Sequence, residues 1–134
     1  MFLHLLNSEQ KNLFMNLAIK AAEANGIVEL EEKNMLKAYG IEMGIKPVYE
    51  TDLKTTEIIA CLNDICDEKT RKVIVFEIIG IMISDSVYDE TEKEFVYNLA
   101  ESFSVTTEQQ DKMYELLIEY SNVFRRISNY ILEI

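Results

Sequence analysis

The chain carries one proline, four glycines, one histidine and two cysteines in 134 residues. With Pro47 the sole proline, little interrupts a helix, and the abundant Leu, Ile, Met, Glu and Lys favour one. Cys61 and Cys66 stand five apart, which fits neither a C-x-x-C pair nor a zinc spacing, so they read as two buried thiols on a helix. His4 alone cannot furnish a Ser-His-Asp triad or a histidine-rich metal site. There is no glycine-rich phosphate loop, no H-E-x-x-H and no E-x-x-H pair for a di-iron bundle. Catalysis is therefore the least expected class. The opening "MFLHLLNSEQK" lacks a basic region and is too short for a signal peptide, which makes the cytoplasm the expected location. The longest apolar stretch, residues 73–83, falls short of the ~20 residues that cross a bilayer.

What is present suits a folded globule. Hydrophobic residues make up 49% of the chain, with seven Tyr and six Phe. A chain of this length buries enough surface for one domain, 1–134, without a disulfide or metal staple. The formal charge is −11, of which residues 1–67 contribute −5 and residues 68–134 contribute −6. A surface so evenly negative repels phosphate backbones and anionic lipid, which excludes nucleic acid and membrane insertion from the expected roles. It suits cations or a protein partner.

Caps and periodicity predict an all-α chain. Asn7 to Gln10 form an N-terminal cap, after which Leu13, Leu17, Ala21 and Ala24 share a face. Asn25-Gly26 breaks that helix. A second runs from about Glu29 to Met43 and carries Met35, Leu36 and Tyr39 before Gly44 stops it. Residues 52–66 repeat the pattern with Leu53, Ile58, Ile59, Leu62 and Ile65. Asp67 caps the next helix, which contains "VIVFEIIGIMI" at 73–83. Such a run also fits a buried strand, but the helical signals on both sides favour a central helix. "DETE" at 89–92 opens a helix presenting Phe95, Val96, Leu99 and Phe103. "TTEQQ" opens the last segment, where Met113, Leu116, Leu117, Tyr120, Phe124, Ile127 and Ile131 keep spacings of three and four. One long helix or two with a slight break both satisfy that pattern.

Shifted by 60 residues, "ANGIVELEEKNML" lies on "SDSVYDETEKEFV". Glu29 meets Asp89, Glu32 meets Glu92, Met35 meets Phe95 and Met43 meets Phe103. The expectation is two similar helical hairpins, about 13–46 and 73–106, packed as one bundle.

At these residues the chain resembles the TerB-like family, helical domains named after tellurite-resistance proteins. The likeness lies in "AAEANGIVELEEKNML" and "IMISDSVYDETEKEF", each an apolar helix, a polar elbow and an acidic helix start. Asn25 stands where the family has Asp, and Ser86 where Gly is usual. The resemblance implies a TerB-type helical bundle doing non-enzymatic work in a stress-response context. It also implies a weak divalent-cation site, for Ca²⁺ or Mg²⁺, at Asp85, Asp89 and Glu92, with Asn25, Glu29 and Glu32 as first-repeat counterparts.

The residues themselves leave two readings open. Hard cations take oxygen ligands, and three close carboxylates repel one another unless a cation or a helix N-terminus compensates. The spacing is not that of an EF-hand. Alternatively the acids only cap helices, with Asp89 and Glu92 in one capping box and Glu29 and Glu32 in another. Function then lies in metal-independent docking of a protein partner. Glu77, a lone acid in an apolar helix, is expected to pair with Arg71, Lys112 or Arg125 or to face solvent; buried and unpaired, it would be a further site candidate.

Overall fold

The computed structural model describes residues 1–83 and 88–133. Among these the chain is all-α, with a 3-10 turn at Leu3–Leu5 and six α-helices. They are α1 (Ser8–Asn25), α2 (Glu29–Met43), α3 (Thr55–Ile65), α4 (Glu68–Met82), α5 (Glu90–Ser102) and α6 (Thr107–Leu132). The 73–83 stretch is helix, not strand, through Met82.

Local chemistry sets most of these boundaries. Asn7 Oδ1 accepts the Gln10 N–H at 2.9 Å and the Gln10 side chain accepts the Asn7 N–H at 2.9 Å, a complete capping box. Thr106 and Gln109 form another before α6. Before α4, Asp67 Oδ1 accepts from the Thr70 N–H at 2.9 Å and the Thr70 hydroxyl at 2.8 Å. Gly26 and Gly44 end α1 and α2 at φ of 67° and 69°, a left-handed turn that glycine enters without steric cost.

The core lies on two helices rather than one. α1 touches α2, α3, α4 and α5, while α4 touches α1, α5, α6 and the N-terminal turn. Phe14, Leu17, Ala18, Ala21 and Ala22 of α1 are buried, as are Ile74, Val75, Ile78, Ile79 and Met82 of α4. The long apolar run is thus covered on most sides, but it shares the centre with α1.

Two expectations need correcting. α3 begins at Thr55, so Leu53 lies before it, 37% exposed, with its N–H bonded to the Thr51 hydroxyl in a local turn. The cysteines differ from each other: Cys66 is buried and Cys61 exposed. Cys66 has left the helix as the residue that caps its C-terminal end, whereas Cys61 lies within α3 at the edge of the buried Ile58–Leu62 side. α6 is one unbroken helix of 26 residues, about 39 Å long at the standard rise.

The Asp67 cap makes acid dependence testable. The Thr70 N–H, then its hydroxyl, hold the Asp67 carboxyl below its ordinary 3.8. A depressed folded-state value means a stabilising contribution that is full above 3.8 and lost as pH falls through the lowered value. Carboxyl-carbon NMR titration should place Asp67 below 3.8, and Asp67→Asn should remove its share of the acid sensitivity. Titration at or above 3.8 would show that the cap does not discriminate the charged form.

Candidate functional site

The sequence marks two elbows, one between α1 and α2 and one between α4 and α5. In the first, Asn25 is the last residue of α1. Its Nδ2 donates to the Ile81 carbonyl at 3.2 Å, tying the first elbow to the C-terminal end of α4. Its Oδ1 is buried and accepts no hydrogen bond. A buried acceptor left empty is costly, so this oxygen is the elbow's most distinctive atom.

The other first-elbow acids do not converge on it. Glu29 does not cap α2: Val28 occupies that place and supplies no side-chain bond. The expected box of Glu29 with Glu32 is therefore absent, because Glu29 falls one residue inside the helix. Its carboxylate is 84% exposed and pairs with Lys33 at 3.2 Å. Glu32 is half-buried. Burial first, then the charges of Glu23 and Glu29, push its carboxyl pKa up.

At the second elbow Asp89 does cap α5, accepting the Glu92 N–H at 2.9 Å. Glu92 is 2% exposed. Asp85 lies outside the described residues. Among the described residues no group of three or more His, Cys, Asp or Glu is placed to hold a metal ion. Among the described members of that set, Asn25 at the first elbow and Glu92 at the second carry buried side-chain oxygens. Glu29 is turned to Lys33 and Asp89 to its helix.

Beside the second elbow is a feature that the acids drew attention away from. Tyr88 stacks on Tyr114 of α6 with ring centroids 5.3 Å apart, and Lys93 Nζ lies 5.7 Å from the Tyr88 ring centre. With Tyr97, Gln110 and Asp111 they line a cleft of about 550 Å³ floored by Ile79. Burial foremost, then the Glu92, Tyr114 and Asp111 charges, raise the Tyr88 hydroxyl pKa to about 12. Tyr88 thus stays a neutral hydroxyl through the physiological range.

Glu77 is buried, 8% exposed, and it is paired. Its partner is none of those expected. Oε1 accepts from the Met1 ammonium at 2.7 Å and the Phe2 N–H at 2.9 Å. The same ammonium reaches Glu42 Oε2 at 3.1 Å, which also accepts from the Leu3 N–H at 3.2 Å. The side-chain cations are engaged elsewhere. Arg71 donates to the Asn63 carbonyl at 2.6 Å, Lys112 pairs with Glu115 at 3.6 Å, and Arg125 donates to Asn122 at 3.1 Å. Burial pulls the Met1 ammonium pKa down, but Glu77 and Glu42 outweigh it and the net shift is upward. The Tyr39 hydroxyl is raised by burial and by the same two carboxylates. Glu77 is a clamp on the N-terminal turn.

Most of the large exposed apolar side chains among the described residues lie on α6. Leu117 is the only buried residue of this helix. Beyond it every residue to Glu133 is exposed except half-buried Ser128. At 100° per residue, Leu116, Tyr120, Val123, Phe124, Ile127, Tyr130 and Ile131 fall on one side of the helix. The threes and fours were visible in sequence; that the bundle covers only their beginning was not.

Comparison with protein-family models, curated proteins and solved structures gives no match. The geometry carries the functional reading.

The Glu77 clamp gives a direct test. Glu77→Gln keeps the shape but removes the charge facing the ammonium, and should lower unfolding stability on the order of 1–3 kcal/mol. Urea unfolding measures it. An unchanged midpoint would mean that the N-terminal turn contributes nothing to the fold.

Proposed function

We propose that the chain is a non-enzymatic helical interaction module that docks a protein partner through the outer half of α6. One observation carries this: seven large apolar side chains, Leu116 and six beyond Leu117, share a helix face that the bundle leaves uncovered. Large contiguous apolar patches on soluble domains mark interaction sites. The acids then serve chiefly as caps and first-turn charges, as Asp67 and Asp89 do. The equal 60-residue steps from Asn7 to Asp67 and from Gln10 to Thr70, each pair in a capping box, support a duplicated hairpin of the TerB-like kind.

If the α6 face is for docking, it contributes little to the isolated fold. Ile127→Glu in dilute protein should therefore change unfolding stability by no more than about 0.5 kcal/mol. A loss well beyond that would show that the face packs within the chain and would end the reading.

A weak Ca²⁺ or Mg²⁺ site at the elbows is the second reading, favoured by the buried, unbonded Asn25 Oδ1. A cation at the first elbow would take Asn25 Oδ1 as one oxygen donor, and one at the second would draw on Asp85, Asp89 and Glu92. Thermal unfolding in chelator against millimolar Ca²⁺ or Mg²⁺ separates the readings. Occupancy at 100 times Kd adds about 2.7 kcal/mol, and Asn25→Ala or Asp85→Asn should abolish that gain. Equal midpoints with and without the ion leave docking alone.

A further inference from the structure

We infer that the occupant of the α6 face is a second copy of this chain, seated antiparallel across a twofold axis to form a helix-pair dimer. This deepens the docking reading above and rests on it. Three observations support it.

The first is spacing. Leu116, Tyr120, Val123, Ile127 and Tyr130 advance by four, three, four and three, the alternation that lets one helix seat against another along its length. Phe124 and Ile131 widen the stripe on one edge. Such a pattern asks for a helix, and a self-complementary one is already supplied by the chain.

The second is charge. The protein is strongly acidic, yet Arg126 lies on the other edge of the stripe, and among the described residues it makes no ion pair. Glu119 lies on that same edge, seven residues back. When two copies run antiparallel with Tyr120 against Val123 of the other copy, Leu116 falls level with Ile127. Glu119 of each then lies within about 3 Å, along the axis, of the level of the other's Arg126. In a parallel pair these edges would instead meet the apolar edge of Phe124. Only the antiparallel seating pairs both arginines, and it does so twice by symmetry.

The third is area. The seven side chains are 47–87% exposed. Three of them are aromatic, and large side chains of this kind bring the patch to the order of the ~800 Å² per partner of a standard interface. A foreign helix would have to match both the four-three spacing and the one-edge charge pattern. An anionic membrane would be opposed by the chain's own negative field.

Sedimentation equilibrium of the full chain, from micromolar to millimolar, tests the inference. The mass should rise from 15.6 kDa towards twice that value. Ile127→Glu should hold it at the monomer with helicity unchanged by circular dichroism. Arg126→Glu should weaken association roughly tenfold, and Glu119→Arg combined with Arg126→Glu should restore it. A single monomeric mass throughout overturns the proposal, as does a dimer indifferent to Ile127→Glu or a double variant that stays weak. A monomer that instead binds phosphatidylserine vesicles through this face overturns it in favour of lipid. These outcomes are distinct from failure of the docking reading itself, which would appear as destabilisation of the dilute Ile127→Glu monomer.

Discussion

The bundle depends on the seam between α1 and α4. These two helices make most of the inter-helix contacts, and both are apolar on more than one side. Small Ala18, Ala21 and Ala22 of α1 and β-branched Ile74, Val75, Ile78 and Ile79 of α4 are all buried in one core. Burial of this seam also fixes the elbows, because each elbow is the place where one of the two central helices stops. The Asn25 bond to the Ile81 carbonyl is a consequence of that meeting. Glu77 is likewise buried on α4, and the N-terminal turn brings the Met1 ammonium to it.

The helix starts explain much of the acidity. Every α-helix has at least one acid in its first turn, and none has a basic residue in its last. Carboxylates near an N-terminus meet the positive end of the helix dipole, a favourable term of a few tenths of a kcal/mol each. With six helices this arrangement accumulates negative charge without requiring a ligand for it. The cost falls where acids of neighbouring turns come close, as at Glu32, whose proton is held more tightly by burial and by Glu23 and Glu29. Helix starts of this kind gather acids at the elbows whether or not a ligand is there, and the buried Asn25 Oδ1 is an atom there that capping does not account for.

Legibility in the sequence followed the range of the interaction. The caps at Asn7 and Asp67 and the start of α6 at "TTEQQ" were readable because a cap's donor and acceptor lie three residues apart. The glycine stops after α1 and α2 were readable for the same reason. Glu29 shows the limit of that method: a shift of one residue moves an acid from the cap to the first turn, where its side chain turns to Lys33 instead. The Glu77 partner was invisible because it is a backbone terminus, which no side-chain inventory contains, and it lies 76 residues away in sequence. The cysteines were misread because Cys66 lies past the end of α3 in extended backbone, so the two do not share a helix. Asp85, central to the expected cation set, lies outside the described residues.

The outer half of α6 carries the same lesson to the surface. Its apolar spacing is continuous from Met113 to Ile131, and pattern alone reads as a single buried face. Whether such a face is core or interface is decided by the length of the neighbours, which is a tertiary quantity. α5 spans 13 residues and α4 15, against 26 for α6, so the bundle ends while the stripe goes on. For an isolated, highly acidic chain, leaving Tyr120, Phe124, Ile127 and Tyr130 in water is unfavourable, whereas net charge opposes bringing another acidic surface near. The two tendencies are reconciled only where apolar area is concentrated and the local charge is mixed. The Glu119–Arg126 edge of α6, beside its exposed apolar stripe, is such a place.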